Sequence, residues 1–124
     1  MAKPESNTSS VQWAESLMHP EVLEVTYLRR ALEIAENDGL GVTRADVQRV
    51  EAVWSIGDGD WTALGFVLLL HDGRHVYLDY DFDFAGDSEA VTMRRMNSAS
   101  YPAIENGGIE WRDDVGELNR LLMS

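Results

Sequence analysis

Residues 61–84 contain the pattern that most constrains the fold of this chain. Two runs rich in aromatic and aliphatic residues, from Trp61 to His71 and from Arg74 to Phe84, are separated only by Asp72-Gly73. An Asp-Gly pair between two such runs is a strong signal for a β-hairpin with a two-residue type I′ turn, because this turn needs positive φ at both positions. The sequence therefore predicts an antiparallel hairpin at the centre of the fold.

The N-terminal part of the chain predicts two helices. Residues 20–37 begin with a proline suited to a first helical position, and Gly39 provides the end signal. Apolar residues recur on one face at helical spacing: Val25, Leu28, Ala31, Leu32 and Ala35. Arg29 and Glu33 are spaced as an ion pair one turn apart on the polar side. Residues 10–18 predict a shorter helix.

After the hairpin, residues 90–96 predict a further strand and residues 109–111 a short edge strand. Asp113 or Asp114 can cap a final helix that ends near Leu122. Helices that are separated from a run of strands along the chain favour an α+β fold. The sequence thus predicts a two-layer sandwich, in which an antiparallel meander of three to four strands packs on the N-terminal helices and a C-terminal helix follows.

Residues 43–56 fit either a helix or a strand. Thr43 and Asp46 are placed like the cap and first turn of a helix. Apolar residues then occupy alternate positions, which is the period of a strand: Val50, Ala52, Trp54 and Ile56. We predict one helical turn followed by a strand over about residues 48–57.

The length of 124 residues predicts one domain. Residues 1–9 are mostly small and polar, which predicts a disordered tail, and residues 10–124 then form a single α+β domain. The chain has no cysteine, so it contains neither a disulfide nor a thiolate metal site. Because it also contains no apolar signal segment and no apolar run long enough to span a bilayer, we predict a cytoplasmic protein.

The turn type also fixes which hairpin residues share a face of the sheet. With a two-residue loop, Leu68 lies opposite Tyr77 and Phe66 lies opposite Asp79. Val67 and Leu69 would then face the helices. The other face carries an apolar patch that continues into three carboxylates: Phe66, Leu68, Leu70, Tyr77, Asp79, Asp81 and Asp83. This patch needs cover, which the C-terminal helix, a partner protein or a second copy in a homodimer would supply.

Asp79, Asp81 and Asp83 form an unusual row, since aspartate is a poor strand former. In one interpretation the row is a solvated or edge-protecting face, partly neutralised by Arg94 or Arg95 on the next strand. In a second, the row and the apolar patch dock a basic partner protein. The third is a metal site, but the glycine and glutamate positions of an EF-hand loop do not match. We therefore predict no metal site and no cofactor.

The overall charge narrows the range of partners. Ten Lys and Arg against 22 Asp and Glu give a net charge of −12, which disfavours direct binding to nucleic acid or to an anionic membrane. The chain has neither a P-loop nor a nucleophile-elbow motif. No catalytic residue is predicted.

These observations favour a small, acidic, cytoplasmic protein-interaction or inhibitor-type module that binds its partner through the face carrying the acidic row. Small, cysteine-free α+β domains of this kind are common among proteins that bind and inhibit another protein, including immunity proteins and phage-encoded inhibitors. The alternative is an enzyme or small-ligand-binding protein, in which polar groups such as His71, Arg94 or Tyr101 converge in a pocket between helix and sheet. A weaker hypothesis is nucleic-acid mimicry, in which the carboxylates imitate phosphates.

Overall fold

The structure, a computed structural model, describes residues 20–57, 61–96, 101–104 and 109–124. The predicted tail (residues 1–9) and the predicted short helix (residues 10–18) lie outside the described residues. The domain boundaries given above therefore stay predictions.

The described chain forms an α+β fold with one four-stranded antiparallel sheet, as the sequence predicts. The elements follow in the order α1 (Pro20–Asn37), a short 3₁₀ turn (Arg44–Asp46), β1 (Val47–Gly57), β2 (Trp61–Leu70), β3 (His75–Asp83), β4 (Ser88–Arg95) and α2 (Gly116–Met123). The strands lie in chain order, so the sheet is a simple meander.

Helix α1 lies across one face of the sheet and buries the predicted apolar stripe against it. Gly39 follows the helix in the left-handed region, with φ of 68°, and so ends it as expected. The predicted pairing of Arg29 with Glu33 is wrong. Arg30 makes the ion pair with Glu33, at 2.8 Å, because the Arg29 guanidinium instead donates to the carbonyl of Leu121 in α2.

The segment that fitted either a helix or a strand contains both. Asp46 accepts hydrogen bonds from the backbone N–H and the hydroxyl of Thr43, which closes the 3₁₀ turn. Strand β1 then begins at Val47, and its register against β2 shifts twice, between Val47 and Arg49 and between Val50 and Ala52. These bulges place Val50 on the opposite face of the sheet from Ala52, which simple alternation does not predict.

The hairpin between β2 and β3 has a longer loop than predicted. Leu70 and Arg74 are joined by a backbone hydrogen bond of 2.8 Å, and Gly73 has φ of 89°. Asp72 does not take the positive φ that a type I′ turn requires. Its carboxylate accepts the N–H of Arg74 and pairs with that guanidinium. The loop is therefore a three-residue turn with a bulge at the glycine.

This change moves the register by one residue, and the predicted pairing is wrong. Leu68 lies opposite Val76, and Gly65 lies opposite Asp79. Because strand side chains alternate, Phe66, Leu68 and Leu70 point toward α1 and not toward the acidic row. They are 0%, 0% and 3% exposed. We call the side of the sheet toward α1 the helix face, and the other side the cleft face.

Helix α2 also covers the helix face, so it is not the cover of the second face that was one of the alternatives considered from the sequence. Leu118 and Leu122 join the core with α1. The helix begins at Gly116, slightly later than expected. The Asn119 carboxamide accepts the N–H of Val50 at 2.8 Å and donates to its carbonyl at 2.9 Å. In place of the predicted edge strand, Arg112 forms an isolated antiparallel bridge with Val53.

One ion pair, between the buried Glu24 and the partly exposed Arg112, ties the C-terminal segment to α1. Glu24 is 2% exposed and accepts hydrogen bonds of 2.8 and 3.0 Å from Arg112. Burial raises the pKa of Glu24, and the hydrogen bonds from Arg112 oppose that rise. Among the helices of the described segments, none is long and apolar enough to cross a bilayer.

Candidate functional site

A cleft of about 380 Å³ opens on the cleft face of the sheet. Its lining combines aromatic rings, two carboxyl groups and one guanidinium: Trp54, Trp61, Tyr77, Asp79, Asp81, Thr92, Arg94 and Ala103. These residues come from all four strands and from the segment that follows β4. The size is within the range of small-ligand sites and of pockets that hold one side chain of a partner.

The floor of the cleft depends on a glycine in the middle of β2. Gly65 pairs with Trp54 of β1 across the ladder. The Trp54 indole lies directly over Gly65, so a Cβ atom at that position would overlap the ring. Glycine in a strand interior weakens the strand and marks a close approach. Here it lets a large ring lie flat against the sheet, and Trp54 is only 4% exposed.

Hydrogen bonds connect the aromatic residues to the carboxyl groups. The Trp54 indole N–H donates to the Tyr77 hydroxyl at 3.1 Å, and that hydroxyl donates to Asp79 Oδ2 at 3.3 Å. Trp61 provides a hydrogen bond that stabilises the ionised form of Asp81. The aromatic donors of the cleft are thus directed toward the carboxylates, as buried Trp and Tyr require.

Asp79 and Asp81 form a carboxyl pair at the centre of the cleft. The pKa of Asp79 is raised to about 6. Burial is the main cause, and the negative charge of Asp81 adds to it. Burial also raises the pKa of Asp81, while a hydrogen bond between the two carboxyl groups lowers it. Two neighbouring carboxylates cannot both ionise without cost.

One oxygen of this pair lacks a donor. Asp79 Oδ1 is fully buried and accepts no hydrogen bond from any residue in the described segments. A buried acceptor without a donor costs free energy. Either a proton shared with Asp81 or a donor brought by a ligand would satisfy it. Binding of a proton or of a cationic hydrogen-bond donor would therefore stabilise the carboxyl pair.

Arg94 and a small aromatic cluster form the rim of the cleft. The Arg94 guanidinium lies 5.1 Å from the centre of the Tyr77 ring, which is a cation–π contact. The centre of the Trp111 ring lies 5.6 Å from that of Tyr77, in an edge-to-face contact, and 5.5 Å from that of Tyr101, in a tilted one. The Trp111 indole N–H donates to the carbonyl of Pro102 at 2.8 Å. These contacts give the second face part of the cover that its apolar residues need.

The structure brings together only some of the predicted site residues. Tyr77, Asp79 and Asp81 line the cleft. Asp83 shares their face but is exposed beyond the cleft, where its carboxylate accepts the N–H of Gly86 at 3.1 Å. Phe66, Leu68 and Leu70 belong to the core on the helix face. A binding role for the residues on the cleft face stays a prediction.

Of the interpretation in which Arg94 or Arg95 partly neutralises the acidic row, the structure supports only a distant contribution from Arg94. Arg94 pairs with Tyr77 in the ladder, and Thr92 is the residue opposite Asp79. Arg95 pairs with Val76 and so belongs to the helix face. Within the described segments, no ion pair shorter than 4.0 Å involves Asp79 or Asp81, although the more distant Arg94 lowers the pKa of Asp79 slightly. The carboxyl pair thus has aromatic neighbours and one more distant arginine, Arg94, in the lining of the cleft.

The residues of the alternative hypothesis do not converge between helix and sheet. His71 is exposed in the hairpin loop and lines a separate hollow with Asp72 and Arg74. Arg94 and Tyr101 lie on the cleft side. The helix–sheet interface itself is filled by buried apolar side chains. At its rim, an apolar hollow of about 240 Å³ includes Leu23 and Tyr27.

Trp54 and Trp61 also line the cleft, and the sequence alone does not single them out as site residues. The signal that could have located Trp54 is Gly65, since an isolated glycine in a strand marks a close approach by another group. In the segments that the structure describes, no three His, Asp or Glu side chains come together as a metal site would require.

The chain shows no similarity to known proteins in three comparisons. No family model matches it, and neither the curated proteins nor the solved structures yield a match.

Proposed function

We propose that this chain is a cytoplasmic protein-interaction module of the regulatory or inhibitor type, and that it binds a basic partner protein on the cleft face. The observation that carries the proposal is the Asp79–Asp81 carboxyl pair, which is half-buried in an open cleft without an ion-pair partner within 4.0 Å among the described residues. Carboxylates held in this way cost stability in the free protein and gain a cation on binding.

Two physical features support a basic protein over other partners, the net charge of the chain and the composition of the cleft. The net charge of −12 accelerates encounter with a cationic surface and repels nucleic acid. It also disfavours a second copy of this chain, which would bring an equal negative charge. Aromatic residues with an arginine around a partly buried centre are the composition typical of protein interfaces.

The volume of the cleft favours a second candidate function, the binding of a small polar molecule. About 380 Å³ is near the lower end of the range for ligand pockets. In this candidate the carboxyl pair would accept hydrogen bonds from hydroxyl or amine groups, and no protein partner would be needed.

The proposed function can be tested with fluorescently labelled peptides of equal length and of positive, neutral or negative net charge. Fluorescence anisotropy at low and at physiological salt would measure their binding. The test variant is Asp79→Asn/Asp81→Asn, and the matched control is Glu36→Gln/Asp38→Asn near the end of α1. Each variant removes two negative charges, so both have the same net charge.

We expect the cationic peptide to bind the unmodified chain and to bind the test variant about tenfold more weakly. The control should lose less than about twofold, since its charges are exposed. Equal losses in both variants would indicate attraction to overall charge and would contradict the proposal. If cationic peptides bind neither form, while small polar molecules raise the Tm of the unmodified chain but not of the test variant, the second candidate is correct.

A further inference from the structure

We infer that the cleft is the binding pocket for a single arginine side chain of the basic partner, whose guanidinium lies between the carboxylates of Asp79 and Asp81. This inference rests on the proposed function and names the residue that anchors the partner, an arginine in the cleft. The inference is supported by the lining of the cleft, by the buried acceptor without a donor and by the aromatic residues around it.

The carboxyl pair offers the acceptors that a guanidinium needs. Asp79 Oδ1 is buried and receives no donor from the described residues, and Asp81 is within hydrogen-bonding reach of Asp79. Two adjacent carboxyl groups repel each other when both ionise, and a cation between them removes that repulsion. Water could provide donors but no charge.

Aromatic residues around the pair favour arginine over lysine. Trp61 and Tyr77 line the cleft beside the carboxylates. A guanidinium is planar, binds carboxylates through two parallel N–H groups and stacks on aromatic rings, whereas an ammonium is compact and strongly hydrated. The contact of Arg94 with the Tyr77 ring at 5.1 Å shows that this surface accepts a guanidinium.

Arg94 distinguishes a cation pocket from a pocket for an anion or a zwitterion. It is exposed at the rim, and its charge already acts on Asp79. If the natural ligand is a cation, Arg94 repels it, and its removal should strengthen binding. If the ligand carries a carboxylate or a phosphate, Arg94 is its natural partner, and its removal should weaken binding.

The probe for this inference is N-acetyl-arginine methylamide, which carries one guanidinium and no other charge. The lysine and citrulline derivatives serve as controls for shape and charge, and the shifts of the Trp54 and Trp61 indole N–H signals in NMR spectra report binding. We expect saturable binding of the arginine derivative, weaker binding of the lysine derivative and none of the citrulline derivative.

Two rim substitutions should act in opposite directions. Arg94→Ala should tighten binding of the arginine derivative about threefold or more. Thr92→Arg places a guanidinium opposite Asp79 in the ladder and should abolish binding, while Thr92→Gln, uncharged and also long, should retain it. Circular dichroism and unfolding curves verify that each variant is folded, and these exposed positions leave the core untouched.

The results separate this inference from the proposed function. If cationic peptides bind in a manner that depends on Asp79 and Asp81 but the arginine derivative does not bind, the anchor is wrong and the proposed function stands. Equal binding of the lysine or citrulline derivative, or weaker binding by Arg94→Ala, also overturns the anchor. If neither the peptides nor the derivative bind, both proposals fail.

Discussion

The two faces of the sheet are built from the same four strands and solve different physical problems. On the helix face, large apolar side chains from β1, β2 and β3 pack under α1 and α2 and exclude water. On the cleft face, Trp54 lies over Gly65, aromatic N–H and O–H groups are directed toward carboxylates, and a cleft remains open. The first face stabilises the fold, while the second keeps two acidic groups where ionisation is costly.

Under the proposed function, this difference separates a face that stabilises the fold from a face that binds a partner. A core needs only apolar volume of the right shape. A half-buried carboxyl pair reduces stability when both groups are ionised, so its presence is easier to explain by a ligand than by folding. Substitutions on each face can test this contrast.

The largest effect is expected on the helix face. Phe66→Ala removes a fully buried ring and leaves a cavity, so the free energy of unfolding should fall by about 3–5 kcal/mol. Thr92→Ala on the exposed part of the cleft face is the control and should change it by less than about 0.5 kcal/mol. Denaturant unfolding measures both. A loss of under about 1 kcal/mol for Phe66→Ala would contradict the assignment of the core.

The next effect tests the floor of the cleft. Gly65→Ala introduces a Cβ atom that overlaps the Trp54 indole, which should displace the ring, break its hydrogen bond with Tyr77 and cost about 1–3 kcal/mol. Unfolding curves and tryptophan fluorescence report the change. Gly116→Ala is the control, because its Cβ would meet open space. Similar stability of both variants would show that Trp54 does not depend on Gly65.

A smaller effect of opposite sign is expected at the carboxyl pair. Asp79→Asn should stabilise the protein at neutral pH by about 1 kcal/mol, less than the pKa shift alone implies, because the carboxyl is only half-buried and solvent screens it. The amide oxygen can still accept from Tyr77, and the amide can donate to Asp81. Destabilisation by this substitution would mean that the aspartate contributes to folding.

The same variant tests how the free energy of unfolding depends on pH. The pKa of Asp79 is about 6 in the folded protein, against an ordinary value of 3.8, so between these values the folded protein binds more protons than the unfolded chain. The contribution of Asp79 to the free energy of unfolding is therefore greatest below pH 4 and is lost as the pH rises through 6. The fall over this window should be shallower in Asp79→Asn, and identical slopes would contradict the raised pKa.

The smallest effect is expected at the third aspartate of the row. Asp83→Asn lies outside the cleft, and an asparagine side chain keeps the oxygen that accepts the N–H of Gly86. Stability should change by less than about 0.5 kcal/mol, and binding of the arginine derivative should not change. A clear loss of binding would extend the site along β3 beyond the pair.

Most of the fold could be predicted from local patterns in the sequence. The apolar stripe of α1, the Asp72-Gly73 pair and the alternation in β3 each act over a few residues, and the structure contains the elements that they predict. The register could not be predicted, because it depends on the backbone angle of one residue. Asp72 binds Arg74 through its own carboxylate and so does not adopt a positive φ.

The candidate site was only half predictable for the same reason. Which β3 residues share a face follows from alternation within one strand, and this part of the prediction is confirmed for Tyr77, Asp79 and Asp81. Which β2 residues join them depends on the register, and the one-residue error placed Phe66 on the wrong face. The neighbours from β1 depend on two bulges, which no local pattern in the sequence marks.

The side chain of Asn119 also affects how readily the sheet can pair with another chain at its edge. By bonding both backbone groups of Val50, it occupies hydrogen-bonding positions at which a foreign strand could add to the outer edge of β1. Helix α2 therefore covers part of the outer edge of β1, in addition to its contribution to the core. We expect a chain cut before α2 to leave the N–H and carbonyl of Val50 open to a foreign strand, while Arg112 still covers Val53, and so to aggregate more readily than the full chain.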